Sequence, residues 1–182
     1  MTGLSARRSL AARRGRPYDK GRGIVAQSLW VAVSTLVFIR VWCPSRLRCA
    51  LLRWFGAEIG RGVLIKQQVR VQWPWKLRIG DNSWVGVGAE LYNLDDIRIG
   101  SDVCISQQVY LCTGSHDRKS PTFEFDNAPI TVEDGAWLCL RSTVLRGVTI
   151  GADTVIGAGC VIGRDVPPGA LVRTPDPVVQ PG

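Results

Sequence analysis

From residue 59 onward the chain places a bulky aliphatic side chain at every sixth position. Ile59, Ile65 and Val71 open the series; Ile79, Val85, Leu91 and Ile97 continue it, followed by Ile99, Ile105 and Leu111. After a gap the register resumes at Val132, Leu138, Val144, Ile150, Ile156 and Ile162. Glycine often follows the aliphatic, as at Gly60, Gly80, Gly86, Gly100, Gly151, Gly157 and Gly163. A compact or β-branched residue stands four places after it: Val63, Val69, Ser83, Ala89, Val103, Val109, Ala136, Ser142, Val148, Thr154, Cys160 and Val166. A short fixed period marks a solenoid, and a period of six points to a parallel β-helix. Each hexapeptide then makes one flat strand and one corner of a triangular prism. The aliphatic points into the narrow core, and the glycine is expected to supply backbone freedom near the corner. A sandwich of short strands would instead alternate with period two, with turns every 8–12 residues.

The register steps by two extra residues where Leu77 precedes Ile79, Ile97 precedes Ile99 and Ile130 precedes Val132. One large interruption remains, residues 117–129, and it directly follows the only histidine, His116. The expected organisation is a basic tail at 1–23, a helical apolar and basic segment at 24–56, a β-helix at 57–170 with its loop at 117–129, and a Pro-rich tail at 171–182.

Charge changes the picture at the N-terminus. Residues 1–23 hold Arg7, Arg8, Arg13, Arg14, Arg16, Lys20 and Arg22 against Asp19, which accounts for most of the formal +8. A solvated tail and attraction to an anionic membrane surface are the competing readings. The uncharged stretch from Ile24 to Ile39 falls short of the ~20 residues of a spanning helix. Arg40, Trp42, Arg46, Arg48, Arg53 and Trp54 then interleave cations with aromatics. These residues read as helices that lie on a membrane or cap the open end of the solenoid, whose first coil is an unpaired edge. Nothing in the rest of the chain resembles a nucleic-acid reader module. The six cysteines show neither a CxxC pair nor metal spacing, and no cleavable signal is evident. They read as reduced thiols in a cytoplasmic protein, possible membrane contact being peripheral.

Several segments together resemble a known family. They include Arg-Trp-Phe-Gly-Ala-Glu-Ile-Gly at 53–60, Trp-Pro-Trp-Lys-Leu at 73–77, Leu-Cys-Thr-Gly-Ser-His-Asp at 111–117, Asp-Gly-Ala-Trp-Leu at 134–138 and Gly-Val-Thr-Ile-Gly at 147–151. Over residues 20–170 the chain is similar to the colanic acid biosynthesis acetyltransferases. These are a branch of the hexapeptide-repeat acyltransferases related to maltose and galactoside acetyltransferases. The resemblance implies a left-handed β-helix, a homotrimer, and transfer of acetyl from acetyl-coenzyme A to a sugar hydroxyl, with no metal.

It also implies roles for particular residues. His116 matches the family's general base, and an imidazole suits the task because it titrates near neutral pH. Asp117 is a candidate to orient that imidazole. Asn93 and Ser115 are candidates for the acceptor, a sugar or lipid-linked saccharide. Trp137, the slim run Gly157, Ala158 and Gly159, and Arg164 are candidates for the donor. Cys112 is the nearest alternative nucleophile, but no second histidine exists to activate it. Two departures stand out: Gly86 replaces a family asparagine that supports catalysis, and Arg-Thr-Pro-Asp-Pro at 173–177 replaces a Gly-Asn-Pro-Ala segment that closes the donor site. They keep open a second class of function, a catalytically weak scaffold on the same prism. A metal-dependent enzyme of this fold would need several His ligands, which one histidine per chain supplies only if three subunits share one ion.

Overall fold

The computed structural model describes residues 17–175. Arg7, Arg8, Arg13, Arg14 and Arg16 of the basic tail, and positions 176–182 of the C-terminal one, lie outside the described residues.

The repeats form three parallel sheets, the faces of a prism. The first face stacks Glu58–Ile59, Leu77–Ile79, Ile97–Ile99, Ile130–Val132 and Thr149–Ile150. The second stacks Leu64–Ile65, Trp84–Val85, Cys104–Ile105, Trp137–Leu138, Val155–Ile156 and Leu171–Val172. The third stacks Arg70–Val71, Glu90–Tyr92, Tyr110–Cys112, Thr143–Leu145 and Val161–Ile162. Glu58 pairs with Arg78, Arg78 with Arg98, Arg98 with Thr131 and Thr131 with Thr149, so one coil is much longer than the rest. That coil holds residues 113–129 as an excursion between the third face and the first. The two-residue register steps fall at the same corner, where both aliphatics of Leu77–Ile79, Ile97–Ile99 and Ile130–Val132 turn inward.

The sixfold aliphatics are buried except Ile59, which is half-buried at the first coil, and every compact residue four places on is buried too. Buried hydroxyls find partners between coils: Ser83 Oγ donates to Gly100 O at 2.7 Å, and Thr154 Oγ1 to Pro167 O at 3.0 Å.

The glycines after the aliphatics have a different reason from the expected one. Left-handed backbone occurs three places past the aliphatic, at Gly62, Asn82, Asp102, Gly135 and Asp153 on one corner and at Gln68, Gly88, Gln108, Arg141 and Gly159 on the next. Asn and Asp tolerate that region, and Gln68, Gln108 and Arg141 adopt it as well, so glycine is not obligatory there. Gly80 has ordinary φ, but a Cβ on it would stand 2.6 Å from the Gly100 carbonyl carbon and the Ser101 nitrogen of the next coil. Coil stacking, not turn conformation, demands this glycine.

Before the prism come helix α1 (Ile24–Val33), a π turn (Ser34–Phe38) and helix α2 (Ser45–Trp54). Trp30, Phe38, Leu52 and Phe55 pack into the same core as Val63, Ile65, Val69 and Val71 of the first coil. Trp30 Nε1 donates to Val71 O at 3.1 Å, and the Ile65 amide donates to Ser45 Oγ at 2.8 Å. Arg48, only 3% exposed, joins the layers. Its guanidinium donates to Phe38 O at 2.9 Å, Ile65 O at 3.3 Å and Arg40 O at 2.5 Å. Burial lowers its pKa from the ordinary guanidinium value, while the carbonyls at the helix end favour a cation. The inner face of the helices thus caps the first coil. Among the described residues no helix is long and apolar enough to cross a membrane.

Candidate active site

The excursion folds back on itself. His116 forms an antiparallel bridge with Phe125, the Asp117 amide donates to Glu124 O at 2.9 Å, and the Asp126 amide donates to Ser115 O at 2.9 Å. The His116 ring stacks on Phe123 with centroids 3.9 Å apart and lies 4.6 Å from the Phe125 ring. Its Nδ1 stands 3.0 Å from Phe123 O. A carbonyl oxygen only accepts, so this contact is a hydrogen bond when Nδ1 carries the proton. The neutral ring then keeps its lone pair on Nε2, which has no hydrogen-bond partner among the described residues. His116 and Ser115 line an open cleft of about 760 Å³ with Asp117, Glu124, Asp126 and Arg146. Arg146 of the fourth coil pairs with Asp126 and ties the excursion to the prism.

The other expected site residues fall in different places. Asp117 lines the cleft, but its carboxylate accepts the Lys119 amide at 2.8 Å in a local turn. The imidazole is oriented by the Phe123 carbonyl instead. Asn93 is fully buried: its Oδ1 accepts the Trp73 amide at 2.9 Å and its Nδ2 donates to Trp73 O at 2.6 Å. The Asn93 amide thus joins the first two coils and does not face an acceptor. Ser115 stays at the cleft, its amide donating to Asn127 Oδ1 at 3.3 Å. The Gly86 amide is spent on Ile105 O at 2.7 Å, so it supplies no oxyanion donor. Cys112 directs its thiol to Gly114 O at 3.4 Å.

The donor candidates lie around the prism from His116. Trp137 stands outward on the second face, 49% exposed, its Nε1 donating to Ser106 Oγ at 3.0 Å. Gly157, Ala158 and Gly159 turn the corner from the second face to the third. Gly157 abuts Val172 O of the next coil, whereas a Cβ on Gly159 would meet nothing within 4 Å. Arg164 is exposed at the third-to-first corner of the fifth coil. One chain therefore brings together His116, Ser115 and Asp117 but leaves Trp137 and the 157–159 corner apart from them.

Sequence reading missed a second cleft. About 460 Å³ in volume, it adjoins the first across Glu124 and Phe125 and is lined by Tyr18, Asp19, Lys76, Asp95 and Asn127. The segment from Tyr18 to Arg22 straps it. Tyr18 meets the Phe125 ring edge at 5.0 Å and accepts Trp73 Nε1 at 2.9 Å. Trp75 Nε1 donates to Lys20 O at 2.6 Å, and Lys76 Nζ donates to Asp19 O at 2.5 Å and Leu94 O at 2.7 Å. Partial burial raises the Tyr18 pKa. The one available signal was the pair Trp73 and Trp75 flanking a proline at a corner, stacked at 5.2 Å. Among the described residues no three His, Cys, Asp or Glu side chains gather as a metal site would require.

Comparison with known proteins agrees with this architecture. Residues 129–164, most of the fourth and fifth coils, match the family described as the hexapeptide repeat of succinyl-transferase. WcaF of Escherichia coli K12, named for colanic acid biosynthesis acetyltransferase activity, is 41% identical over 157 residues, 85% of each chain. The galactoside O-acetyltransferase of E. coli is 27% identical over 70% of this chain and 66% of its own. A hexapeptide-repeat acetyltransferase of Vibrio cholerae, solved with acetyl-coenzyme A, superposes with TM-score 0.75 at 25% identity, covering 87% of this chain and 88% of that one. With the WcaF likeness spanning excursion and prism alike, the chain belongs to the hexapeptide-repeat acetyltransferases, in the branch of the colanic acid biosynthesis enzymes.

Proposed function

We propose that this protein transfers an acetyl group from acetyl-coenzyme A to a hydroxyl of a sugar in exopolysaccharide synthesis, with His116 as general base. The observation that carries the reading is the 3.0 Å contact between His116 Nδ1 and the Phe123 carbonyl. A carbonyl only accepts, so that contact favours the Nδ1–H tautomer, whose Nε2 lone pair can take a proton. A sugar hydroxyl gives that proton to Nε2 as its oxygen attacks the thioester carbonyl carbon. The tetrahedral adduct then collapses, the carbon–sulfur bond breaks, and the imidazolium returns the proton to the leaving thiolate. No covalent enzyme intermediate is involved. The second cleft suits the acceptor, since Lys76, Asp95 and Asn127 offer polar contacts beside the Tyr18 and Phe125 rings, and Ser115 stands at the neighbouring wall.

Acetyl-coenzyme A fits a path past Trp137 and the open corner at Ala158 and Gly159, with Arg164 toward its phosphates. That path is remote from His116 within one chain. A second copy is needed to bring a donor corner to the His116 cleft, and a threefold ring closes three such sites from one repeated contact. We accordingly assign a homotrimer, working in the cytoplasm with its N-terminal helices toward the inner face of the cell membrane.

The test is thiol release from acetyl-coenzyme A with a panel of soluble sugars. His116→Ala should lose roughly 10²–10⁴ in rate and keep its fold, because His116 sits on the excursion and outside the core. Full turnover in that variant would overturn the assignment.

A further inference from the structure

Among the described residues nothing packs against the outer face of the N-terminal helices. While Trp30 and Phe38 turn into the prism, Val25, Leu29 and Leu36 follow a helical stripe on the opposite side, with Val25 78% and Leu36 63% exposed. The segment after the π turn adds Trp42, 65% exposed, and α2 adds Trp54, 72% exposed. Apolar side chains grouped on an outer surface are favoured by removal from water, and large exposed patches mark interaction sites.

Charge selects the partner. From Lys20 to Ala57 the chain holds six cations and no Asp or Glu. Arg48 is buried, Arg53 donates to Ile59 O and Gly60 O, and Arg22 of the strap lies over the Trp75 ring, but Arg40 and Arg46 are exposed on the segments that carry the apolar side chains. Five further arginines precede Asp19 in the sequence. A twofold contact with a second copy would set these cations against themselves. An anionic bilayer is complementary to all three features. Its interface admits the apolar side chains, headgroup depth suits the indoles, and lipid phosphates attract the cations.

We propose that the outer face of α1, the π turn and α2 docks the protein on an anionic phospholipid bilayer. This deepens the assigned placement at the membrane and does not depend on acetyl transfer. The strap sets the height of the site. Tyr18 touches Phe125 in the cleft and α1 starts at Ile24. Six residues of chain span at most about 22 Å, so the acceptor cleft is within reach of a short saccharide carried on a lipid.

The test is co-sedimentation of the full-length protein with vesicles containing phosphatidylglycerol, compared with pure phosphatidylcholine. Each basic residue near an anionic surface contributes roughly fivefold in binding, and salt screens that attraction. Binding should therefore weaken at least tenfold on neutral vesicles or at about 0.5 M salt. Val25→Glu with Leu36→Glu should lose at least tenfold while keeping thermal midpoint and turnover on a soluble sugar. Wild-type protein that ignores phosphatidylglycerol vesicles at low salt would overturn the proposal, as would a double variant that binds as well as wild type. A double variant whose oligomeric state changes would also overturn it, by assigning the face to a second copy. Vesicle binding by a protein that transfers no acetyl group would support the docking face while removing the catalytic reading.

Discussion

Substituting alanine at Gly80 and at Gly163 separates two explanations of the repeat's glycines. Both follow an aliphatic, Ile79 and Ile162, and neither needs positive φ. At Gly80 the new Cβ would lie 2.6 Å from backbone atoms of the next coil, and ordinary contact begins at 3.4 Å. The coils must then part locally by about 0.8 Å, which takes the Gly80 N–H to Ile99 O bond from 2.8 Å out of hydrogen-bond range. A lost ladder bond costs about 1 kcal/mol, and overpacking adds about 1–3 kcal/mol. The sum, about 2–4 kcal/mol, corresponds to a fall in thermal midpoint of about 5–15 °C for a chain of this size. At Gly163 the nearest atom to a new Cβ is Leu145 Cδ1 at 3.7 Å, so nothing has to move. Alanine there should be neutral or stabilise by about 0.4–1 kcal/mol through the unfolded chain. Thermal unfolding followed by circular dichroism reads both variants. Equal losses at the two positions would refute the stacking argument and restore a conformational one.

Other expectations follow from single contacts. Arg48→Met should cost about 2–4 kcal/mol, because the carbonyls of Phe38, Ile65 and Arg40 lose their shared donor; chemical denaturation showing no change would refute its role as a joint. Phe125→Ala removes the ring between Tyr18 and His116, and should lower turnover about tenfold to a hundredfold by misplacing the base, with the thermal midpoint little changed. Burial raises the thiols of Cys43, Cys49 and Cys139 and the phenols of Tyr18 and Tyr110. The folded state then holds protons that the unfolded state releases, so stability from these groups is complete below the ordinary thiol value of 9.0 and is lost as pH rises beyond it. A thermal midpoint that stays flat from neutral pH well into the alkaline range would contradict that sign.

The β-helix was legible in the sequence because a strand's inward side chains recur at fixed spacing. From Ile65 to Ile162 every sixth-position aliphatic is buried, and so is every compact residue four places later. The same regularity exposed the excursion after His116, since a break in a strict register needs no partner to be seen. What the sequence left open were contacts between distant coils. Asn93 is an acceptor candidate by resemblance to the family, yet stacking places its side-chain amide 2.6–2.9 Å from the Trp73 backbone. Asp117 is adjacent to His116 in sequence, yet the fold-back delivers the Phe123 carbonyl to the imidazole instead. Capping and membrane contact were rival readings of residues 24–56, and the structure bears on the first through the inner face of the helices. Packing decided which side chains, Trp30 and Phe38, meet the first coil. Local periodicity determines which way a side chain points. Only the stacking of successive coils, and the return of the N-terminal strap to Phe125, decides what it meets there.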